Sequence, residues 1–292
     1  MQDERGPSRL AEIRNLLSKH NITPSRRLGQ NFLVDLRPAE LLAEKAVELA
    51  SGDILKVALE IGTGLGHLTE CLARRGFSVV TVELDRRLAA AAKERLSSVG
   101  TFANVTFLRA DAVSKGSLSM ELLGALGTAL PPGGKYVLAS NLPYSIASPV
   151  IVWYALHPDA WSGAVVTVQH EMAQRLTAQP GGSEWGAIGL LASVAFSEVK
   201  VLKEVKAGAF YPPPKVDSAI VTFRPARSLP IPLERLEAFG NYAKRIFSQR
   251  RKTLRKALSI LDWKMPEDID IGARVDDLNV HGHLKTFELN VK

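Results

Sequence analysis

A chain of 292 residues can bury a sizeable core, as one large domain or one large and one small, and 46% hydrophobic with 23% charged residues is the composition of a globular protein. An excess of 37 Lys+Arg over 30 Asp+Glu gives a formal charge of +7, which admits polyanionic partners. The single cysteine, Cys71, excludes an intrachain disulfide and a cysteine-cluster metal site, and the six histidines show no HxH or HExxH spacing, so no structural metal is expected.

From the N-terminus, Met1-Gln-Asp-Glu-Arg5 has no apolar stretch of the kind a secretory signal needs. Residues 8–20 place Leu10, Ile13, Leu16 and Leu17 at helical spacing, predicting a helix that stops before Asn21 and Pro24. After a basic loop, Pro38 to Ala50 form a second helix. Strands and helices then alternate: strand 56–61, helix 67–75, strand 78–82, helix 87–97, strand 105–108, helix 118–126, strand 136–139, helix 149–156 and strand 164–169. Strands separated by helices of this length imply a doubly wound α/β domain, a parallel sheet covered on both faces. The charge-free stretch 137–156 is interrupted by Asn141, Pro143 and Pro149, and reads as strand, loop and helix rather than a membrane span. A cytoplasmic protein with no membrane partner is expected.

Residues 194–201 and 218–223 are β-rich and flank the corner Tyr211-Pro-Pro-Pro-Lys215, as expected of an antiparallel hairpin closing the sheet edge. Beyond Pro225 the chain is polar and helical. The expected division is therefore residues 1–225 for the α/β domain and 226–292 for a small α-helical domain.

In Val57-Ala-Leu-Glu-Ile-Gly-Thr-Gly-Leu-Gly66 a buried strand runs into glycines 62, 64 and 66, which let backbone approach a ligand. A dinucleotide fingerprint needs glycine where this chain has His67, and no GxxxxGK[ST] phosphate loop occurs. Glu83 ends the second strand of the α/β pattern, 21 residues after Gly62, where a carboxylate can accept both ribose hydroxyls. Asp111 follows the third, placed for an exocyclic adenine amine. Each acid alone reads as a solvated loop carboxylate; with Glu60 they put one acid at each of three successive strand ends, along the edge where open α/β sheets bind ligands. That arrangement resembles the S-adenosylmethionine-dependent methyltransferases: the charged methionine end would suit Glu60 and the loop, the ribose Glu83, and the adenine Asp111.

The fourth strand ends in Ser140-Asn-Leu-Pro-Tyr144 at that same edge. An exocyclic amine on an aromatic base is a poor nucleophile because its lone pair is delocalised into the ring. If the Asn141 side-chain carbonyl and the Leu142 backbone carbonyl accept its N–H groups, the nitrogen can pyramidalise and aim its lone pair at a sulfonium methyl. Pro143 stiffens the turn and Tyr144 offers a face for the base. Phe210, before the proline corner, is read either as a second ring opposite Tyr144 or as a core phenylalanine.

Together Gly29-Gln-Asn-Phe-Leu33, Glu60-Ile-Gly-Thr-Gly-Leu-Gly66, Asn141-Leu-Pro-Tyr144, Gln169-His-Glu-Met-Ala-Gln-Arg175, Phe210-Tyr-Pro-Pro-Pro-Lys-Val216 and Phe247-Ser-Gln-Arg-Arg-Lys-Thr-Leu254 resemble the ribosomal RNA adenine N6-dimethyltransferases, in their small-subunit (16S) branch. The resemblance implies a Rossmann-like sheet, S-adenosylmethionine as methyl donor, and dimethylation of two adjacent adenines near the 3′ end of 16S rRNA during assembly of the small ribosomal subunit, by a monomer. It implies cofactor contacts at Asn31, Leu33, Gly62, Glu83, Asp111 and Asn141, and base contacts at Asn141, Leu142, Tyr144 and Phe210. Family members often carry asparagine at the position of Lys256, which departs from the pattern.

Residues 244–256 carry Lys244, Arg245, Arg250, Arg251, Lys252, Arg255 and Lys256 without an acid, with Ile246, Phe247, Leu254 and Leu258 expected on one helical side. A solvated face is the ordinary reading of a charge run; the density here favours phosphate contacts. The macrolide-resistance branch, which methylates large-subunit rRNA, and a noncatalytic ribosome-assembly or transcription factor of the same fold are the competing readings.

Overall fold

The computed structural model describes residues 8–52, 55–100 and 102–291; the N-terminal segment read above for a signal lies outside them. The strands are β1 (Phe32–Leu33), β2 (Val57–Ile61), β3 (Ser78–Val82), β4 (Val105–Leu108), β5 (Val113–Ser114), β6 (Ser117–Leu118), β7 (Tyr136–Asn141), β8 (Trp161–Gln169), β9 (Phe196–Val205), β10 (Phe210–Tyr211) and β11 (Ser218–Pro225). The helices are α1 (Arg9–Lys19), α2 (Arg37–Leu49), α3 (His67–Ala73), α4 (Arg86–Ser98), α5 (Met120–Ala129), α6 (Ala147–Leu156), α7 (His170–Thr177), α8 (Ala187–Ala195), α9 (Leu236–Phe247), α10 (Leu254–Leu261) and α11 (Val280–Asn290).

Seven strands form one mixed sheet in the order β4-β3-β2-β7-β8-β11-β9. The pairs β2–β3, β3–β4, β2–β7 and β7–β8 are parallel, as the strand–helix alternation predicts. All five residues of β2 are buried, which is why this strand reads as a continuous apolar run broken only by Glu60. The chain steps outward from β2 to β3 and β4 on one side, then returns to lay β7 on the other. The direction of winding thus reverses between β2 and β7, and the crevice beyond their carboxyl ends is where such sheets bind ligands. Ser140 bridges this junction, its buried hydroxyl donating to the Ile61 carbonyl at 2.6 Å.

At the far edge β9 and β11 are both present, with β11 lying between β8 and β9. The connection is more than a turn. Between them, β10 leaves the sheet and pairs antiparallel with β1, Phe32 opposite Tyr211 and Leu33 opposite Phe210. The Gly-Gln-Asn-Phe-Leu segment and the segment before the prolines, far apart in sequence, are therefore one two-stranded ribbon.

Two expectations are corrected. Residues 187–195 are helix α8, and the strand expected from Val194 begins only at Phe196. The run 187–195 is apolar on nearly every side, so it carries no periodicity to distinguish helix from strand. The basic run is likewise two helices rather than one: α9 ends at Phe247 and α10 starts at Leu254, where the Thr253 hydroxyl caps it by accepting from the Lys256 N–H at 3.4 Å. Ser248 to Lys252 form the turn between them.

The chain divides into two compact units. One holds residues 1–153, 159–170 and 201–222; the other holds 154–158 and 171–200 together with 223–292, so α8 belongs with the C-terminal helices, which a cut at residue 225 does not anticipate. The second unit is organised on aromatic rings: Phe239 meets Phe287 edge-on at 5.2 Å, and Tyr242 stacks on Trp263 at 5.4 Å. Among the described residues no helix is long and apolar enough to cross a membrane, and no group of three or more His, Cys, Asp or Glu side chains is arranged to hold a metal ion.

Candidate active site

A cavity of about 250 Å³ opens beyond the carboxyl ends of β2, β3, β4 and β7, entirely within the first unit. Of the residues predicted to contact a cofactor, Asn31, Leu33, Gly62, Glu83, Asp111 and Asn141 all line it. Leu142, Tyr144 and Phe210 do not; Leu142 and Phe210 are buried and Tyr144 is half-buried beside it.

The glycine loop is fixed by packing as much as by any ligand. Gly62 has φ +86°, and a β-carbon there would stand 2.9 Å from the Pro143 ring; a β-carbon on Gly29, at φ +66°, would stand 3.2 Å from the Tyr144 nitrogen. Both glycines let their loops close on the Asn-Leu-Pro-Tyr turn, and a side chain at either would force the two apart.

Three carboxyl groups line the cavity. Glu60 and Thr81 are partners across the β2–β3 ladder, so their side chains share a face; the Thr81 hydroxyl donates to Glu60 at 2.7 Å and that of Thr69 at 2.5 Å. Burial pushes the Glu60 carboxyl up to about 8 against those hydrogen bonds. The acid expected to face a ligand's cationic end is thus largely protonated at neutral pH in this structure and held by two threonines that sequence reading overlooks. Glu83 accepts from the Gly64 N–H and the Asp85 N–H, each at 2.9 Å, and burial raises its pKa although both bonds oppose the rise. Asp111 is exposed at the rim, one oxygen accepting from the Val113 N–H at 3.0 Å.

Two further lining residues are assigned no role of their own by the sequence. Gln30 accepts from the Ser25 N–H at 2.8 Å and so helps fold the segment before β1 over the cavity. His67 is 8% exposed, and burial, then Arg95 and Arg9, lower its pKa to about 3, leaving a neutral ring whose Nε2 has no partner.

The decisive atom is on Asn141. Its Nδ2 donates to the Asn31 carbonyl at 3.4 Å, while Oδ1 is buried with no hydrogen-bond partner. A buried, unsatisfied acceptor at the end of a strand is costly unless a ligand completes it. Among the described residues, the lining contains no lysine or arginine. Glu83 and Asp111 in this lining, with no described cation beside them, suit a cationic nucleoside with hydroxyl and amine donors, which S-adenosylmethionine is, better than a phosphate-bearing nucleotide.

A family model described as ribosomal RNA adenine dimethylase matches residues 22–291. The chain belongs to that family. A ribosomal RNA small subunit methyltransferase A of Pelotomaculum thermopropionicum is 39% identical over 254 residues, 85% of this chain and 82% of that protein. A probable ribosomal RNA small subunit methyltransferase A of Pyrococcus abyssi is 36% identical over 261 residues, 87% of this chain and 85% of that one. Among solved structures, the 23S rRNA methyltransferase ErmE is 25% identical with a TM-score of 0.61, covering 90% of this chain and 100% of its own. A dimethyladenosine transferase of Plasmodium falciparum, at 23% identity and TM-score 0.60 over 83% of this chain and 94% of its own, has the same fold. Family and fold are those of enzymes that take methyl groups from S-adenosylmethionine.

Phe210, expected at the base, is 3% exposed and lies in a cluster with Leu33, Leu42, Ala139 and Ile220.

Proposed function

We propose that this chain transfers methyl groups from S-adenosylmethionine to N6 of two adjacent adenines near the 3′ end of small-subunit (16S) rRNA during ribosome assembly, giving N6,N6-dimethyladenosine. The observation that carries the reading is the unpartnered Asn141 Oδ1 at the rim of a cavity suited to a cationic nucleoside. Family membership and the names of the small-subunit relatives support the substrate.

When bound, S-adenosylmethionine supplies a methyl group on a positively charged sulfur. Asn31, Leu33, Gly62, Glu83, Asp111 and Asn141 would hold it. Toward the adenine, Asn141 Oδ1 and the Leu142 carbonyl accept the N6 hydrogens, drawing the nitrogen lone pair out of conjugation and favouring the positive charge that develops there. Tyr144 carries the base face and orients it. Neither Glu60, with its proton retained, nor the buried neutral His67 serves as a strong base, and none is needed, because the N6 proton becomes acidic once the nitrogen is alkylated. Phe210 supports the site from beneath, by packing.

The helices within 226–292 supply rRNA contacts through the exposed cations of the turn after α9 and the first turn of α10. The chain is read as a monomer acting in the cytoplasm, as its resemblance to the small-subunit enzymes implies. Incubation with labelled S-adenosylmethionine and either immature small subunits or free large-subunit RNA tests the proposal. Label confined to the small subunit is expected; label on the large-subunit RNA would transfer the chain to the specificity of ErmE, and no label on either would leave a noncatalytic assembly factor.

A further inference from the structure

Two side chains outside the cavity lining are joined by a bond the proposed reaction does not explain. The Tyr144 hydroxyl lies 2.5 Å from the Ser218 hydroxyl across 74 residues. Ser218 is fully buried at the first position of β11. It cannot shift easily, because Asp217 beside it is tied down three ways: its carbonyl accepts from the His170 N–H at 3.0 Å, and its carboxylate accepts from the Ala207 N–H and from Lys206, each at 2.9 Å. At the other end of the tyrosine, the Gly29 backbone closes on the Tyr144 nitrogen. The side chain is thus clamped at its backbone and at its hydroxyl, which fixes the direction of the ring's long axis between them.

Resting on the reaction proposed above, we propose that Ser218 is a positioning residue for methyl transfer: through its bond to the Tyr144 hydroxyl it holds the outer end of the ring on which the target adenine stacks, and so the angle at which N6 meets Asn141. A ring free at its outer end pivots about its side-chain torsions, and the amine then spends less time aligned for in-line transfer. The bond contributes alignment rather than chemistry, so its loss lowers turnover without touching the cofactor cavity.

The test compares wild type, Ser218→Ala, Tyr144→Phe and the double variant on immature small subunits, with kcat, KM for the subunit, the dissociation constant for S-adenosylmethionine and the melting temperature measured for each. Ser218→Ala is expected to lower kcat about 3- to 10-fold, the range set by one neutral hydrogen bond, with cofactor binding unchanged. Tyr144→Phe, which deletes the same bond from its less buried side, is expected to reproduce that loss, and the double variant to be no slower than either single one. Independent, multiplying losses in the double variant would overturn the proposal, as would wild-type kcat in Tyr144→Phe or a Ser218→Ala protein altered only in melting temperature. A wild-type enzyme that leaves the subunit unmethylated would instead overturn the reaction itself, and the positioning role with it; an active wild type with indifferent variants removes only the role of Ser218.

Discussion

Asn141 and Asn31 face each other across the mouth of the cavity, and the Asn141 amide nitrogen, by donating to the Asn31 carbonyl, turns its own oxygen away from that backbone and leaves it without a partner. The contact joins the segment that covers the cofactor cavity to the turn that would receive the base. It also fixes which end of the amide faces substrate, the feature on which activation of an amine depends.

Replacing Asn141 by alanine is therefore expected to remove methyl transfer while sparing RNA binding. Loss of one preorganised group aimed at developing charge typically costs about 10²–10³-fold in kcat. Subunit binding and single-turnover methylation, measured on the same protein, separate the two effects; near-normal turnover would take Asn141 out of the mechanism.

Opposed pH dependences are built around the cavity. Glu60 keeps its proton up to about 8 when folded against a reference of 4.5, so the unfolded chain releases a proton that the folded chain retains. Its contribution is complete below 4.5 and is lost as pH rises through 8. His67 has the opposite sign: lowered to about 3 from 6.5, it takes up a proton only on unfolding, so its contribution is present above 6.5 and is lost as pH falls toward 3. Urea unfolding of wild type and Glu60→Gln at several pH values isolates the first. The stability difference, wild type minus variant, is expected to shrink from pH 5 to about pH 8 and then level off. A difference independent of pH would mean that Glu60 ionises alike in both states.

The cations of the basic run are not equivalent. Arg250 is occupied: its guanidinium donates to the Ser183 carbonyl at 2.7 Å and lies 3.6 Å from the Asp276 carboxylate. Arg251, Lys252 and Arg255 are exposed. Glutamine at these three positions is expected to weaken subunit binding and flatten its salt dependence by roughly one unit of slope for each phosphate no longer neutralised, leaving the affinity for S-adenosylmethionine unchanged. Arg250→Gln should instead lower the melting temperature. An unaltered salt slope in the triple variant would make this turn an ordinary solvated surface.

What the sequence discloses follows from the range of the physics involved. The glycine loop, Glu83, Asp111 and Asn141 are readable because each sits at a strand end, and strand ends are marked by local apolar runs. The Tyr144–Ser218 bond and the β1–β10 ribbon are not, because their partners are distant and a two-residue strand has no period to recognise. Helix α8 fails for a related reason, being apolar on nearly every side. The break between α9 and α10 does leave a sign, since Thr253 directly before an apolar run is a capping signal, but seven cations at close spacing mask it. Glu60 is legible and its environment is not: the hydroxyls that hold it come from Thr69 on α3 and Thr81 on β3.

Product distribution tests the two aromatic residues separately. Dimethylation requires that N6-methyladenine, with one N–H fewer, still bind and react, so the second transfer cannot rely on both carbonyl acceptors. Stacking is indifferent to the first methyl and is worth about 1–3 kcal/mol per base by alanine substitution. Tyr144→Ala is therefore expected to slow both transfers, the second more, and to leave a larger monomethyl fraction in nucleosides digested from small-subunit RNA and resolved by mass spectrometry. Phe210 has its ring in the core, and truncation of such a residue to alanine costs about 3–5 kcal/mol of stability. Phe210→Leu, which refills most of the volume, is expected to lower the melting temperature and, assayed where it is folded, to keep the wild-type ratio of dimethyl to monomethyl product. A shifted ratio in that folded variant would show that the ring leaves its cluster to meet the base. A wild-type product that stops at N6-methyladenosine would remove the premise for both variants, because no second transfer would then depend on the stack.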